Sequence, residues 1–205
     1  GVLSIPPLDL KQVEIIKGSA STLYGGGAIG GLINFISKVP EDSLQSVVTL
    51  NRTTLKETNF NTFTSGKGKR TGFTVFAGVN GKSAYDVNGD GFAEVPRQRN
   101  ATIHPRFFFD VNKKVSLNAG ITASSEERSG GDMTAINNDR MDSVHTFLLK
   151  EKTLRNTFDA ELNYKKSERN HFTVKSAASM FNRNVTESGI GFSGRQLSTY
   201  TELND

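Results

Sequence analysis

The residues of this chain best suited to chemistry lie in the stretch Tyr85 to Glu94, YDVNGDGFAE. Asp86, Asn88 and Asp90 stand at alternate positions, so their oxygens can converge, and Gly91 allows a sharp bend after them. Hard oxygen donors at this spacing suit calcium and resemble the first half of a calcium loop. In an EF-hand the bidentate glutamate would fall at position 97, which is Arg97, so an EF-hand is excluded. Glu94 is the available substitute. The plainer reading of the same residues is an exposed loop in which Asn88-Gly89 and Asp90-Gly91 form turns. Both readings stay open at this point.

Other chemistry is not indicated. His104, His145 and His171 lie far apart and have no metal-ligand spacing. No Ser-His-Asp arrangement stands out, and Asp159 with Glu161 reads as a charged strand face. No catalytic residue is assigned, and the chain is not expected to be an enzyme. Gly25, Gly27 and Gly30 match the dinucleotide pattern G-x-G-x-x-G. That pattern needs a strand, then the glycines, then a helix whose N-terminus holds the pyrophosphate. Here the glycines precede an apolar β-run, so the helix dipole would be misplaced. No G-K-[ST] closes the run, so a phosphate-binding Walker loop fails as well.

The chain has 205 residues and a net charge of +4, with no long basic block to suggest nucleic acid. Cysteine is absent, which excludes disulfides and thiolate metal sites. No run of about 18 apolar residues is present, so no transmembrane helix is expected. The mean hydropathy of −0.41 is compatible with a membrane barrel, in which only alternate residues need be apolar. The chain opens GVLSIPPLDL without the pattern of a signal peptide and ends within a strand-like run. It is therefore expected to be a piece of a longer protein.

The elements that would position any site begin with Gln12 to Lys38, QVEIIKGSASTLYGGGAIGGLINFISK. Val13–Lys17 is a short β-run. Ser19–Tyr24 is helix-compatible, with Ser19 as a cap. Gly25, Gly26, Gly27, Gly30 and Gly31 form a hinge, and Leu32–Ile36 is a second apolar β-run. Glycines this dense mean positive φ or close backbone approach. The stretch resembles the C-terminal part of the plug domain of TonB-dependent outer-membrane receptors. The resemblance is carried without a gap by Val13, Glu14, Ile15, Ile16, Lys17, Gly18, Ala20, Ser21, Leu23, Tyr24, Gly25, Gly27, Ala28, Ile29, Gly30, Gly31, Ile33, Asn34, Ile36, Ser37 and Lys38. Ser19 departs from the family's usual proline. Glu14 and Lys17 are read either as plug charges paired to a barrel wall or as an exposed pair on one strand.

After Lys38 the pattern changes to long alternating strands. These are expected at about 44–55, 58–65, 71–79, 100–111, 115–124, 154–165, 172–183 and 195–204. The period is two, so they are strands. Several are 10 to 12 residues long, as a tilted membrane strand requires. Short connections at 66–70, 112–114 and 167–170 alternate with long ones at 81–99, 126–153 and 184–194, the pattern of outer-membrane barrels. The connection near Lys56-Glu57 is an exception, being short on the outer side. Phe73, Phe107, Phe109, Tyr164 and Phe172 gather near the short turns, as an interfacial aromatic girdle would. The apolar faces of the fourth to seventh strands carry no charge, whereas the opposite face carries His104, Arg106, Arg155, Asp159, Glu161 and Lys175. That face is expected to meet the plug and water. Arg128–Met133 is assigned to the longest loop, either along the ligand approach or as a flexible turn.

The expected fold is mainly β. Residues 1–40 are assigned to the end of an α/β plug and residues 41–205 to the first eight or so strands of a transmembrane antiparallel barrel. The resemblance implies energised uptake of a large scarce nutrient across the outer membrane of a Gram-negative bacterium. Siderophores, haem, cobalamin and glycans are the family's substrates. It also implies outer-membrane lipid and the TonB energy-coupling complex as partners, the latter through an N-terminal segment ahead of Gly1. Calcium in the Asp86–Glu94 loop is the one cofactor implied, as in some cobalamin receptors of the family. A receptor used only for sensing is a variant of this reading. The rival from another class is a soluble or surface calcium-stabilised β-sandwich that binds a partner.

Overall fold

A computed structural model describes residues 7–18, 31–54, 56–167 and 170–204. A single 3-10 turn, Pro7–Asp9, leads into β1 (Leu10–Lys17), which pairs antiparallel with β2 (Gly31–Ser37). The two apolar β-runs of the plug-like stretch are therefore one hairpin. Two of its glycines have evident reasons. Gly18 has φ +89°, and Gly31 has φ +117° with its missing Cβ only 2.6 Å from the Ile16 carbonyl oxygen. A side chain at position 31 would meet both penalties. The helix-compatible stretch Ser19–Tyr24 and the motif glycines Gly25, Gly27 and Gly30 lie outside the described residues.

Eight further strands form one antiparallel sheet in strict chain order. They are β3 (Gln45–Arg52), β4 (Glu57–Lys67), β5 (Thr71–Lys82), β6 (Arg97–Asp110), β7 (Val115–Gly131), β8 (Leu148–Lys165), β9 (His171–Glu187) and β10 (Ile190–Asn204). Every strand expected from the sequence is present, but β7, β8 and β9 reach 17, 18 and 17 residues. This corrects three assignments. The long connection placed at 184–194 is a two-residue turn, Ser188-Gly189, with φ +47° and +89°. Both turn residues at positive φ suit the right-handed twist of a hairpin. The connection placed at 126–153 shrinks to 132–147 and contains a short helix, α1 (Met133–Asn138). Arg128–Gly131, assigned to that loop, closes β7 instead. Asp132 starts α1 by accepting hydrogen bonds from the Thr134 and Ala135 amides at 2.8 and 3.1 Å.

Register settles the two faces. On one face the rows run Phe109–Leu117–Leu162–Val174, Phe73–Phe107–Ala119–Ala160, Val75–Pro105–Ile121–Phe158–Ala178, Ala77–Ile103–Ala123–Asn156–Met180 and Val79–Ala101–Ser125–Leu154. No Lys, Arg, Asp or Glu interrupts them. The side chains stand in the open, with Phe107, Ile121 and Phe158 each half exposed. Tyr164 and Phe172 stack at 6.4 Å beside the short turn that joins their strands. The opposite face is mainly polar but carries Phe63, Phe76, Phe108 and Phe181; the first two are fully buried where the Pro7–Asp9 turn and Lys38 press on the sheet. There the Lys38 amide donates to the Asp9 carbonyl at 2.8 Å, and the Lys38 ammonium sits 4.7 Å above the Phe63 ring.

A β-sandwich needs a second sheet packed face to face on the first. Among the described residues the eight strands form one sheet, with only the small β1–β2 sheet beside it. The sandwich reading is therefore overturned. The apolar face is uncovered and the polar face looks inward, as in a membrane barrel wall. β3 and β10 are its two edges.

Candidate functional site

Two places bring functional residues together. The first is the loop cluster at the end of the sheet away from the short turns. Loop 83–96 is held by the Tyr85–Val95 bridge and is stitched to the loop after β7. The Ala93 amide donates to the Gly131 carbonyl at 2.9 Å, and the Met133 amide donates to the Gly91 carbonyl at 2.9 Å. Ala84 and Ala93 pack on a small core of Ala135, Ile136 and Leu148, the first two fully buried. Sequence analysis missed this core because α1 is too short to show a helical period.

Within that loop the candidate calcium donors do converge. Carboxylate oxygens of Asp86, Asp90 and Glu94 lie within 4.8 Å of one another. The backbone is bent to suit, with Gly89 and Gly91 at φ +79° and +90°. The Gly89 and Gly91 amides donate to the two oxygens of Asp86, at 2.6 and 2.8 Å. The Gly91 amide above all, with those of Gly89, Asp90 and Asn88, holds the Asp86 carboxyl below its ordinary value. Asn88 stands apart from the three carboxylates. Its side-chain oxygen accepts from the Asp90 amide at 3.0 Å, and its NH2 donates to Asp90 at 3.1 Å. Glu94 accepts from the Val87 amide at 2.7 Å. The loop is thus ordered by its own turns, and it also gathers three anionic oxygens that repel one another.

The second place is the contact between the N-terminal turn and the sheet's inner face. Asp9 is buried, and its carboxylate lies 2.5 Å from His104 Nδ1 on β6. The second carboxylate oxygen of Asp9 and the Nε of Arg106 are buried without a hydrogen bond. The inner face is thus the one that meets the plug-like segment at His104. Sequence analysis placed His104 on that face but gave no sign of its partner, 95 residues away. Arg106 reaches Asn118 at 3.2 Å, and Arg155 lies over the Phe181 ring. His145 is instead out in a loop beside Asp142.

The plug-motif residues that the structure describes are spread along the hairpin. Glu14 lies opposite Asn34 and accepts from its side chain at 3.0 Å, and Gln12 donates to the other Glu14 oxygen at 2.8 Å. Lys17 is exposed at the end of β1. Among the described residues no ion pair joins Glu14 and Lys17, and none joins either to the sheet. Tyr24 lies outside the described residues, as do Gly25, Gly27 and Gly30.

An uncovered apolar wall, with a small hairpin segment fastened to its other face, is the architecture of a membrane barrel with an internal plug. Comparison with known proteins agrees. Residues 1–32 match the family model of the TonB-dependent receptor plug domain. The ferric enterobactin receptor PirA of Pseudomonas aeruginosa is 39% identical over 46 residues, 22% of this chain and 6% of that protein. The vitamin B12 transporter BtuB of Vibrio vulnificus is 45% identical over 60 residues, 28% of this chain and 10% of that protein. The crystal structure of the ferric-catecholate import receptor Fiu of Escherichia coli, in its open form, superposes with a TM-score of 0.69 at 13% identity. It covers 94% of this chain and 34% of that one, and shows the fold. These matches support a fragment of a TonB-dependent receptor. The chain spans a fifth or less of the curated relatives it matches.

Proposed function

We propose that this chain forms part of an outer-membrane receptor that takes up a large scarce nutrient by TonB-coupled transport. The observation that carries the reading is the pairing of a plug motif with an eight-stranded wall whose outward apolar rows across β5 to β9 hold no charged residue. The chain acts by binding and passage, not by catalysis. The assignment of residues 1–40 to the plug and 41–205 to the barrel is part of the proposal. It is supported by the break between the β1–β2 hairpin and the sheet that starts at Gln45. The ligand class is a siderophore, haem, cobalamin or glycan; ferric enterobactin and vitamin B12 in the names of two relatives favour metal-bearing chelates. The plug motif around Glu14, Lys17, Gly18, Gly31 and Asn34 would shape the hinge that moves when the coupling complex pulls.

The test uses the full-length gene product in the bacterial outer membrane. The fractionated protein should run faster on SDS gels unheated than boiled. A soluble product without that shift would refute the receptor reading.

We also propose that Asp86, Asp90 and Glu94 hold calcium, with the 4.8 Å grouping of their oxygens as support. Calcium bound at 100 times its dissociation constant would stabilise the loop's native state by about 2.7 kcal/mol. Proteolysis of the loop in calcium and in chelator checks this. Equal cleavage in both would leave the loop as a set of turns.

A further inference from the structure

The two ends of the wall carry opposite charge. The two long outer connections, 83–96 and 132–147, hold six acids and one Lys or Arg, Arg140. The three short turns at the other end, 66–70, 112–114 and 165–170, hold eight Lys or Arg residues and one acid, Glu168. Seven of those cations are described, and all are exposed: Lys67, Lys69, Arg70, Lys113, Lys114, Lys165 and Lys166. Tight turns call for Gly, Asn, Asp or Pro rather than lysine, so chain reversal alone does not account for this charge.

The basic turns stand next to the aromatic girdle. Tyr164 directly precedes Lys165, and Phe73 follows Arg70 by three residues. Aromatic side chains on a barrel wall mark the depth at which the apolar band meets the headgroups. The turn cations therefore lie at the headgroup depth of the periplasmic leaflet. Lys113, Lys114 and Lys165 line an open recess of about 370 Å³ between the second and third turns, which Tyr164 and Phe172 also border. Its frame is preset by the backbone. The Asn112 side-chain oxygen accepts from the Lys114 and Val115 amides at 2.8 and 3.0 Å, and the Lys165 amide donates to the Lys114 carbonyl at 2.7 Å. Asp110 lines the recess as well. Among the described residues no ion pair joins it, or any other carboxylate, to the seven cations.

We propose that this basic rim binds anionic phospholipids of the periplasmic leaflet, one headgroup seated in the recess and its acyl chains lying against exposed Phe109, Tyr164 and Phe172. A free anion would use the lysines but gain nothing from the aromatic side chains. A cell-wall polymer would meet the turns from the water and leave the aromatic side chains untouched. A phospholipid uses both. The inference rests on the outer-membrane reading above.

The test offers dioleoyl phosphatidylglycerol or dioleoyl phosphatidylethanolamine to the detergent-purified full-length receptor and counts retained lipids by native mass spectrometry. Wild type should retain the anionic lipid in preference to the zwitterionic one. The double variant Lys113→Gln/Lys114→Gln should retain about 25-fold less of it, or roughly fivefold for each basic side chain lost at an anionic surface. The outer-loop variant Arg140→Ala should match wild type. Equal retention of the two lipids by wild type overturns the inference. Unchanged retention in a double variant that still gives the heat-shifted outer-membrane band overturns the site and leaves the receptor reading intact. Full displacement of the lipid by inorganic phosphate overturns it in favour of a simple anion site, and displacement by soluble cell-wall fragments in favour of a wall contact. Absence of the heat-shifted band in wild type overturns both the site and the receptor reading.

Discussion

Asp9 fastens the N-terminal turn to the sheet through one side chain, and its partner His104 is itself mostly buried. Removing one member of a buried polar pair leaves the other unsatisfied, at a cost of about 1–3 kcal/mol. Asp9→Ala in the full-length receptor should therefore speed amide exchange across Leu10–Lys17 by about tenfold or more, since about 1.4 kcal/mol is tenfold. Unchanged protection would mean that the turn is held elsewhere. Exposed groups behave differently. At the loop 139–147, the Asp142 carboxylate accepts from the His145 and Val144 amides and meets the His145 ring at 3.0 Å. The hydrogen bond to Asp142 raises the His145 pKa above 6.5, and the same contacts lower that of Asp142. The pair's stabilisation is present between the two values. It fades as pH rises through the raised His145 value, and as pH falls through the depressed Asp142 value. An NMR titration should place the His145 midpoint above 6.5, and Asp142→Ala should return it there. A midpoint at 6.5 in wild type would show that the contact is not held in solution. The Asp142–His145 turn spans four residues and lies within the reach of local pattern. Asp9–His104 does not, because nothing in a sequence marks which inward histidine a distant turn will meet.

Strand existence was legible because one face is uniformly apolar, so Val115-Leu117-Ala119-Ile121-Ala123 shows its period plainly. Strand ends were not. Beyond the apolar band both faces are polar, as in Ser124–Ser129, Lys150–Thr153 and Asn182–Glu187. Alternation vanishes there although the hydrogen-bond ladder continues, so strand reads as loop. The calcium-like loop was legible from its Asx and Gly residues, but its dock on α1 was not. That dock turns on Gly131, at φ +115°, whose absent Cβ would lie 2.6 Å from the Phe147 carbonyl oxygen. Gly131→Ala should cost about 1–3 kcal/mol in strain and loosen both outer loops together, because Ala93 bonds to the same residue. Limited proteolysis should then cut within 83–96 and 132–147 faster than in wild type, while the β1–β2 hairpin keeps its protection. Faster cutting in one loop only would separate the two.

At the scale of the whole molecule, the decisive property is which way the two faces look. The apolar rows are coherent across β5 to β9, with strands of 12 to 18 residues. The buried apolar side chains are few and lie chiefly beneath the plug-facing turn and around α1. A water-soluble sheet would cover such a face, whereas a bilayer covers it without further protein. Ile121 is in the central row, between Phe107–Ala119 on one side and Ile103–Ala123 on the other, and it is half exposed. Thr122, the next residue, points to the inner face opposite Thr157. An arginine at the bilayer midplane costs about 2–4 kcal/mol, and one facing a watery lumen does not. Ile121→Arg should therefore reduce the heat-shifted folded fraction in outer membranes, with the loss recovered by Ile121→Leu. Thr122→Arg, one residue away, should fold nearly as wild type. The ordering of the two arginine variants is the readout. A reversed ordering would mean that the apolar face looks inward, and the barrel wall would have to be turned inside out.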